Sequence, residues 1–108
     1  MFAQAKRAAE NEALFRDVNE RVADAAEGFG SERFTVLCEC GEPGCVERLL
    51  MTAGEYGAIR AHGERFALVA NHQDPVLERV VEQNDRFIVV EKVGEAADIA
   101  RDLNPRAQ

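Results

Sequence analysis

The chain has 108 residues, 46 % of them hydrophobic but with only six Phe, one Tyr and no Trp, which makes one domain with a modest core and excludes a disordered chain. Acidic residues outnumber basic ones 20 to 13, a formal charge of −7, and Lys and Arg sit beside Glu and Asp with no basic stripe. That balance speaks against nucleic acid, which binds clustered cations, and favours solubility or a basic protein partner.

The N-terminal MFAQAKRAAENEALF is charged throughout and has no apolar core of a signal peptide. No stretch approaches the roughly 20 apolar residues of a membrane span. Three cysteines are an odd number, and without an export signal they argue against a disulfide framework and for the cytoplasm.

Residues 3–28 read as one long helix, rich in Ala, Glu, Arg and Lys and free of Pro and Gly until Gly28. Met1, Ala8, Phe15, Val22 and Phe29 recur every seven residues, with Val18 and Ala25 at offset positions and Gln4 and Asn11 interrupting them. The apolar seam is therefore expected from Leu14 onward. GFGS (28–31) ends the helix with residues tolerant of left-handed backbone. Residues 34–37 form a short β-prone run, CGEPGC (40–45) a tight turn, and 46–51 a returning strand. Thr52 and Glu55 have capping-box spacing and open a helix to about His62, ended by Gly63. Residues 66–70 are a third strand, followed by the loop 71–75. The stretch 76–83 fits either a helix begun at Asp74-Pro75 or a strand paired with 86–92 through Asn84-Asp85; the hairpin is preferred for its Val80-Val81 and Ile88-Val89-Val90 runs. A short helix follows from Gly94 to about Leu103, with Pro105 past its end.

Cys38, Cys40 and Cys45 fall within eight residues, spaced C-x-C-x4-C. Core cysteines behave as small scattered hydrophobes, whereas these cluster among Gly, Glu and Pro. A tight turn can bring Cys45 over the other two, and Gly41 and Gly44 let backbone amides turn toward the sulfurs. Zn²⁺ takes about four such ligands in a tetrahedron, so a fourth is needed. His62 sits at a helix end, where the last carbonyls and the helix dipole give it other work. His72 lies in a polar loop beside a strand end and is preferred. A catalytic zinc with Glu39 or Glu42 as base is weighed against both being solvated acids flanking a turn, and the solvated reading is preferred. A zinc–thiolate switch that oxidises and ejects its metal has the same signature as an inert staple.

GxGxxG, Walker, HExxH and GxSxG motifs are absent, and Ser31 is the sole serine. Tyr56 and Arg60, four apart on the middle helix, are expected to pack on or solvate its surface. Glu91 and Glu95 are expected to cap the last strand-to-helix turn.

The runs NEALFRDVNERV (11–22), FTVLCECGEPGCVERLLMTAGEYGAIR (34–60) and RFALVANHQDPVLERVVEQNDRFIVVEK (65–92) resemble a group of small proteins from actinobacteria and neighbouring phyla. Their pattern is an NE-x-LFR-x-VNER helix, a CEC-x4-C knuckle, an EY-x-x-R helix, a histidine before a proline and a VVEK strand. The resemblance implies Cys38, Cys40, Cys45 and His72 as a shared polar core and leaves His62 outside it. It implies no activity. Asn71 stands here where that pattern has glycine.

The expected fold is α+β: a long N-terminal helix (1–30) on a small zinc-stapled domain (31–108), together one structural unit, with a small antiparallel sheet and two short helices. The expected function is a non-enzymatic interaction or regulatory protein with structural zinc on Cys38, Cys40, Cys45 and His72. The first helix, through Leu14, Phe15, Val18 and Val22, would meet a protein partner or a second copy, or simply pack on its own sheet. A zinc–thiolate redox or metal sensor is the alternative, and a nucleic-acid-binding zinc module the third.

Overall fold

A computed structural model describes residues 2–26 and 32–104, with the side chains of the first helix described from residue 9 onward. The elements run α1 (Phe2–Ala26), β1 (Phe34–Leu37), β2 (Arg48–Met51), α2 (Ala53–Arg60), β3 (Arg65–Leu68), β4 (Glu78–Gln83), β5 (Ile88–Lys92) and α3 (Glu95–Asp102). This is the expected α+β architecture. The stop at GFGS (28–31), Pro105, and the side chains of Met1, Gln4, Ala8 and Phe29 lie outside the described residues.

The strands form two antiparallel sheets where one was expected. β1 and β2 pair from Phe34↔Met51 to Leu37↔Arg48, and the cysteine segment is the loop between them. The second sheet has the order β3-β5-β4. Its central strand, β5, buries Ile88, Val89 and Val90, as a strand covered on both faces does. The hairpin reading of 78–92 holds because Val80 finds Val90 as its partner, with a bulge at Val81. Asp74 does not open a helix; its carboxylate accepts from the Val76 and Leu77 amides and makes a turn.

The two sheets are tied where β1 ends. β3 is an edge strand, and its free groups are taken by the cysteine segment: the Glu39 amide donates to Ala67 O at 2.9 Å. Covering an edge in this way prevents pairing with foreign strands. One buried cluster gathers Ala23, Val36, Leu49, Met51, Tyr56, Ile59, Ala67, Phe87 and Val89. A second holds Cys38, Phe66, Leu68, Ile88, Val90 and Ala100, with Cys40 and Cys45 packed against it. α2 begins as its capping box requires: Glu55 N donates to Thr52 Oγ1 at 3.1 Å and Thr52 N to Glu55 Oε1 at 2.8 Å, a cap worth about 1 kcal/mol.

The face that α1 buries is not its apolar seam. Among its described side chains, Glu12, Arg16, Asn19 and Ala23 are the buried positions, spaced four, three and four apart as one helical stripe. Leu14 is 57 % exposed and Val18 37 %, while Phe15 and Val22 are half-buried. The expectation of packing through the seam therefore fails at Leu14 and Val18, because the stripe turned inward is mostly polar and finds polar and aromatic partners, with Ala23 in the core cluster. Arg16 donates to Gly63 O at 2.8 Å and Ala100 O at 2.9 Å and lies 4.5 Å from the Phe66 ring. Lys92 Nζ stands 2.5 Å from both Glu12 and Glu78.

Tyr56 and Arg60 are buried rather than on the helix surface. The Tyr56 hydroxyl donates to Glu39, and Arg60 reaches Arg65 O and Asn104. Glu91 does not cap α3, which has no side-chain cap; it pairs with Arg65 and Arg79 across the sheet.

Candidate metal centre

The cysteine segment turns through two glycines with left-handed backbone, Gly41 at φ 75° and Gly44 at φ 84°. An L side chain resists that conformation and glycine does not. The turn closes with Cys45 N donating to Glu42 O at 3.0 Å, and Cys38 N donates to Glu47 O at 2.8 Å. Cys45 is thereby folded back over Cys38 and Cys40. Backbone amides face the sulfurs: Glu42 N–H, just after Gly41 in the turn, donates to Cys40 Sγ, and Val69 N–H, from beyond the end of β3, donates to Cys38 Sγ at 3.3 Å.

His72 arrives from the other sheet. β3 ends at Leu68, His72 N bonds back to Val69 O at 3.1 Å, and Asn71 takes φ 73° in that turn. Asn is the non-glycine residue that best tolerates this region, which is why it can stand where glycine was expected. His72 Nδ1 lies 3.6 Å from Cys38 Sγ and 3.7 Å from Cys45 Sγ. Its Nε2 sits 2.8 Å from a Glu47 carboxylate oxygen. A proton held on Nε2 by that carboxylate leaves the Nδ1 lone pair facing the sulfurs, the arrangement of a metal-ligating histidine with its outer carboxylate.

The four ligand atoms of Cys38, Cys40, Cys45 and His72 lie within 4.8 Å of one another. A tetrahedral ion with bonds of about 2.3 Å to sulfur and about 2.05 Å to nitrogen separates S from N by about 3.6 Å. The two measured S–N separations match that edge. The group therefore fits a metal ion. Burial pushes the Cys38 thiol well up, with Cys40 and Cys45 adding to it, and burial also raises Cys40. Cys38 and Cys40 thus resist ionising; a divalent cation reverses this by exchanging for thiol protons.

Two acids beside the cysteines differ sharply. Glu42 is exposed, as expected of a solvated turn residue. Glu39 is fully buried between two ligands, which corrects the solvated reading. Its Oε1 accepts from Ala67 N at 3.0 Å, and its Oε2 accepts from Asn19 Nδ2 at 2.9 Å and Tyr56 OH at 2.8 Å. Burial raises its pKa while those three donors oppose the rise. A carboxylate held by three donors and sealed from water has no access to a substrate, so a general-base role does not fit it.

His62 is outside the cluster and lies 3.9 Å from Glu64 on the surface. Glu47 and Asn19 were not singled out by sequence reasoning, and Glu39 was weighed there only as a base or a solvated turn residue. Glu47 carries only the signal of standing two residues after a ligand. No protein-family model, curated protein or solved structure matches the chain.

Proposed function

We propose that this chain is a small zinc-binding protein in which the ion is structural, and that it acts in the cytoplasm through contacts with another protein or a second copy rather than by catalysis. The observation that carries the reading is the convergence of Cys38, Cys40, Cys45 and His72 from two sheets. Thiolates with one imidazole suit zinc among the common ions. Four protein ligands make a closed site, the structural rather than the catalytic kind. A cavity of about 130 Å³ lined by Ala58, Ile59, Arg65, Val81, Glu82 and Val89 includes none of the four and is smaller than ordinary ligand pockets. No described helix is long and apolar enough to cross a membrane. The −7 charge favours a basic protein partner over nucleic acid.

Elemental analysis of freshly purified protein tests the reading: one zinc per chain is expected, and none would overturn it. Light scattering at high concentration separates a second copy from a different partner, since a monomer removes self-association.

A zinc–thiolate sensor is favoured by one observation, the half-exposure of Cys40 and Cys45. A hydroperoxide would oxidise two thiolates to a disulfide, itself reduced to water and alcohol or to water alone, and the ion would leave. Metal fully retained under mild peroxide rejects this reading.

A further inference from the structure

We infer that metal occupancy and docking of the first helix are one coupled equilibrium, transmitted by Glu39 and Asn19; this rests on the metal reading above. Glu39 lies between two ligands, Cys38 and Cys40, and its side chain leaves the cluster on the other side. There it meets Asn19 of α1, Tyr56 of α2 and the Ala67 amide of β3. Asn19 also brackets Leu37, donating to its carbonyl at 2.9 Å and accepting from its amide at 2.8 Å. The contacts of Asn19 thus fall on the last residue of β1 and on the residue between two ligands. Both positions depend on the 38–45 segment being closed.

The rest of the α1 footing is also polar. Among its described residues, from 9 onward, four side chains are buried, and of these only Ala23 is apolar. Among these four, hydrophobic burial, which tolerates displacement, is confined to Ala23. Hydrogen bonds to buried groups are sensitive to geometry, and each one broken leaves a donor or acceptor stranded. When the ion leaves, the bonds that draw Cys45 and His72 onto Cys38 and Cys40 are lost, and only the backbone turns and the Glu47–His72 pair remain there. The segment relaxes, Glu39 moves, and Asn19 and Tyr56 lose a shared acceptor. Helix α1 then loses the Glu39 part of its footing and keeps Glu12, Arg16 and the apolar contact of Ala23. Linkage makes the effect reciprocal: whatever factor the metal adds to docking, docking adds to metal affinity. Glu39 and Asn19 are positioning residues for the centre, touching no ion themselves.

The test uses the full chain, loaded with Zn²⁺ or stripped by a chelator, and reads hydrogen exchange across residues 12–23 beside zinc affinity by chelator competition. Zinc is expected to slow exchange there by about tenfold or more, and Asn19→Ala to weaken zinc binding by a similar factor, within the usual range of couplings between sites. Leu14→Ala, on the exposed side of the same helix, is expected to leave affinity unchanged. Asn19→Asp sets two carboxylates together and is expected to weaken zinc further; Glu39→Gln in the same chain restores a donor–acceptor pair and should recover part of the loss, which mere damage to the fold would not. Equal protection of α1 with and without zinc, or zinc affinity unmoved by Asn19→Ala, overturns the coupling and leaves the metal reading standing. Absence of any zinc binding overturns both.

Discussion

His72 illustrates how much of the centre is decided by single residues. Its ring is aimed at both ends, by Asn71 through the backbone turn and by Glu47 through Nε2. Removing the ring should abolish stoichiometric zinc, so His72→Ala is expected to lose the metal in elemental analysis while His62→Ala keeps it. Glu47→Gln retains the ring but lowers its basicity and loosens its orientation, and chelator competition should show about a tenfold loss, the lower end for outer-shell partners. The Asn71 backbone gives a separate check. Asn71→Gly should be tolerated, whereas Asn71→Val forces a β-branched residue into φ 73° and should cost about 1–3 kcal/mol in denaturant unfolding. At this scale the grouping of the four side chains was legible, because three of them are local in the chain and a β-strand end is a natural place for the fourth. Glu47 and Glu39 were not, because their roles are set by what stands across space. A glutamate beside a cysteine in a glycine-rich turn reads as solvated until the helix that buries it is in place.

Among the elements, α1 departs furthest from its pattern. Heptad spacing at Phe15 and Val22 suggested an apolar seam, but the buried stripe is Glu12, Arg16, Asn19 and Ala23. Hydrophobic periodicity finds a buried face only where burial is apolar; here the partners are a lysine, a carboxylate and backbone carbonyls. Strands and α2 were legible because their signals, β-branched runs and a capping box, are local. The polar footing has a pH consequence. Burial raises the Glu12 carboxyl from its ordinary 4.5 to about 7, although Lys92 opposes the rise; Glu78 adds to it and Arg16 lowers it. Burial pulls Lys92 down, yet Glu12 and Glu78 more than offset this, and it stays a cation. With Glu12 protonated the Glu12–Lys92–Glu78 cluster is neutral; with it ionised the cluster carries a buried negative charge. The folded chain thus holds a proton that the unfolded chain releases near 4.5. The stability this proton confers is present below that value and is lost as pH rises through about 7. Glu12→Gln should abolish this component: denaturant midpoints measured from pH 5 to 8 should fall less steeply in the variant than in the parent. A parallel decline in both chains would assign the slope to other groups.

At the scale of the molecule, the Cys/His cluster lies where the two sheets meet, and an ion held there would cross-link them. Three ligands come from the loop joining β1 and β2, and the fourth follows β3. The two-stranded sheet is only four residues long in each strand, and a short hairpin has little stability of its own. It is held to the larger sheet by the Glu39 amide and carboxylate and by the core around Val36 and Leu49, and an ion on the Cys/His cluster would add a further tie. Composition already pointed toward such a staple, with few aromatics in 108 residues, but the division into two sheets could not be read from strand patterns, which say nothing of which strand meets which. The size of the staple's contribution follows from mass action. Free zinc at a thousandfold excess over its dissociation constant stabilises the folded chain by about 4 kcal/mol, and 1 kcal/mol moves the midpoint of a domain this size by roughly 4 °C or more. Stripping the metal should therefore lower the thermal midpoint by on the order of 15 °C, and the drop should shrink as free zinc is titrated down toward the dissociation constant. Acidification should reproduce it, because three thiols and an imidazole take up protons as the ion leaves. A midpoint that does not move on chelation, in protein shown to have held one zinc per chain, would mean that the protein contacts around Glu39 suffice to join the sheets without the ion.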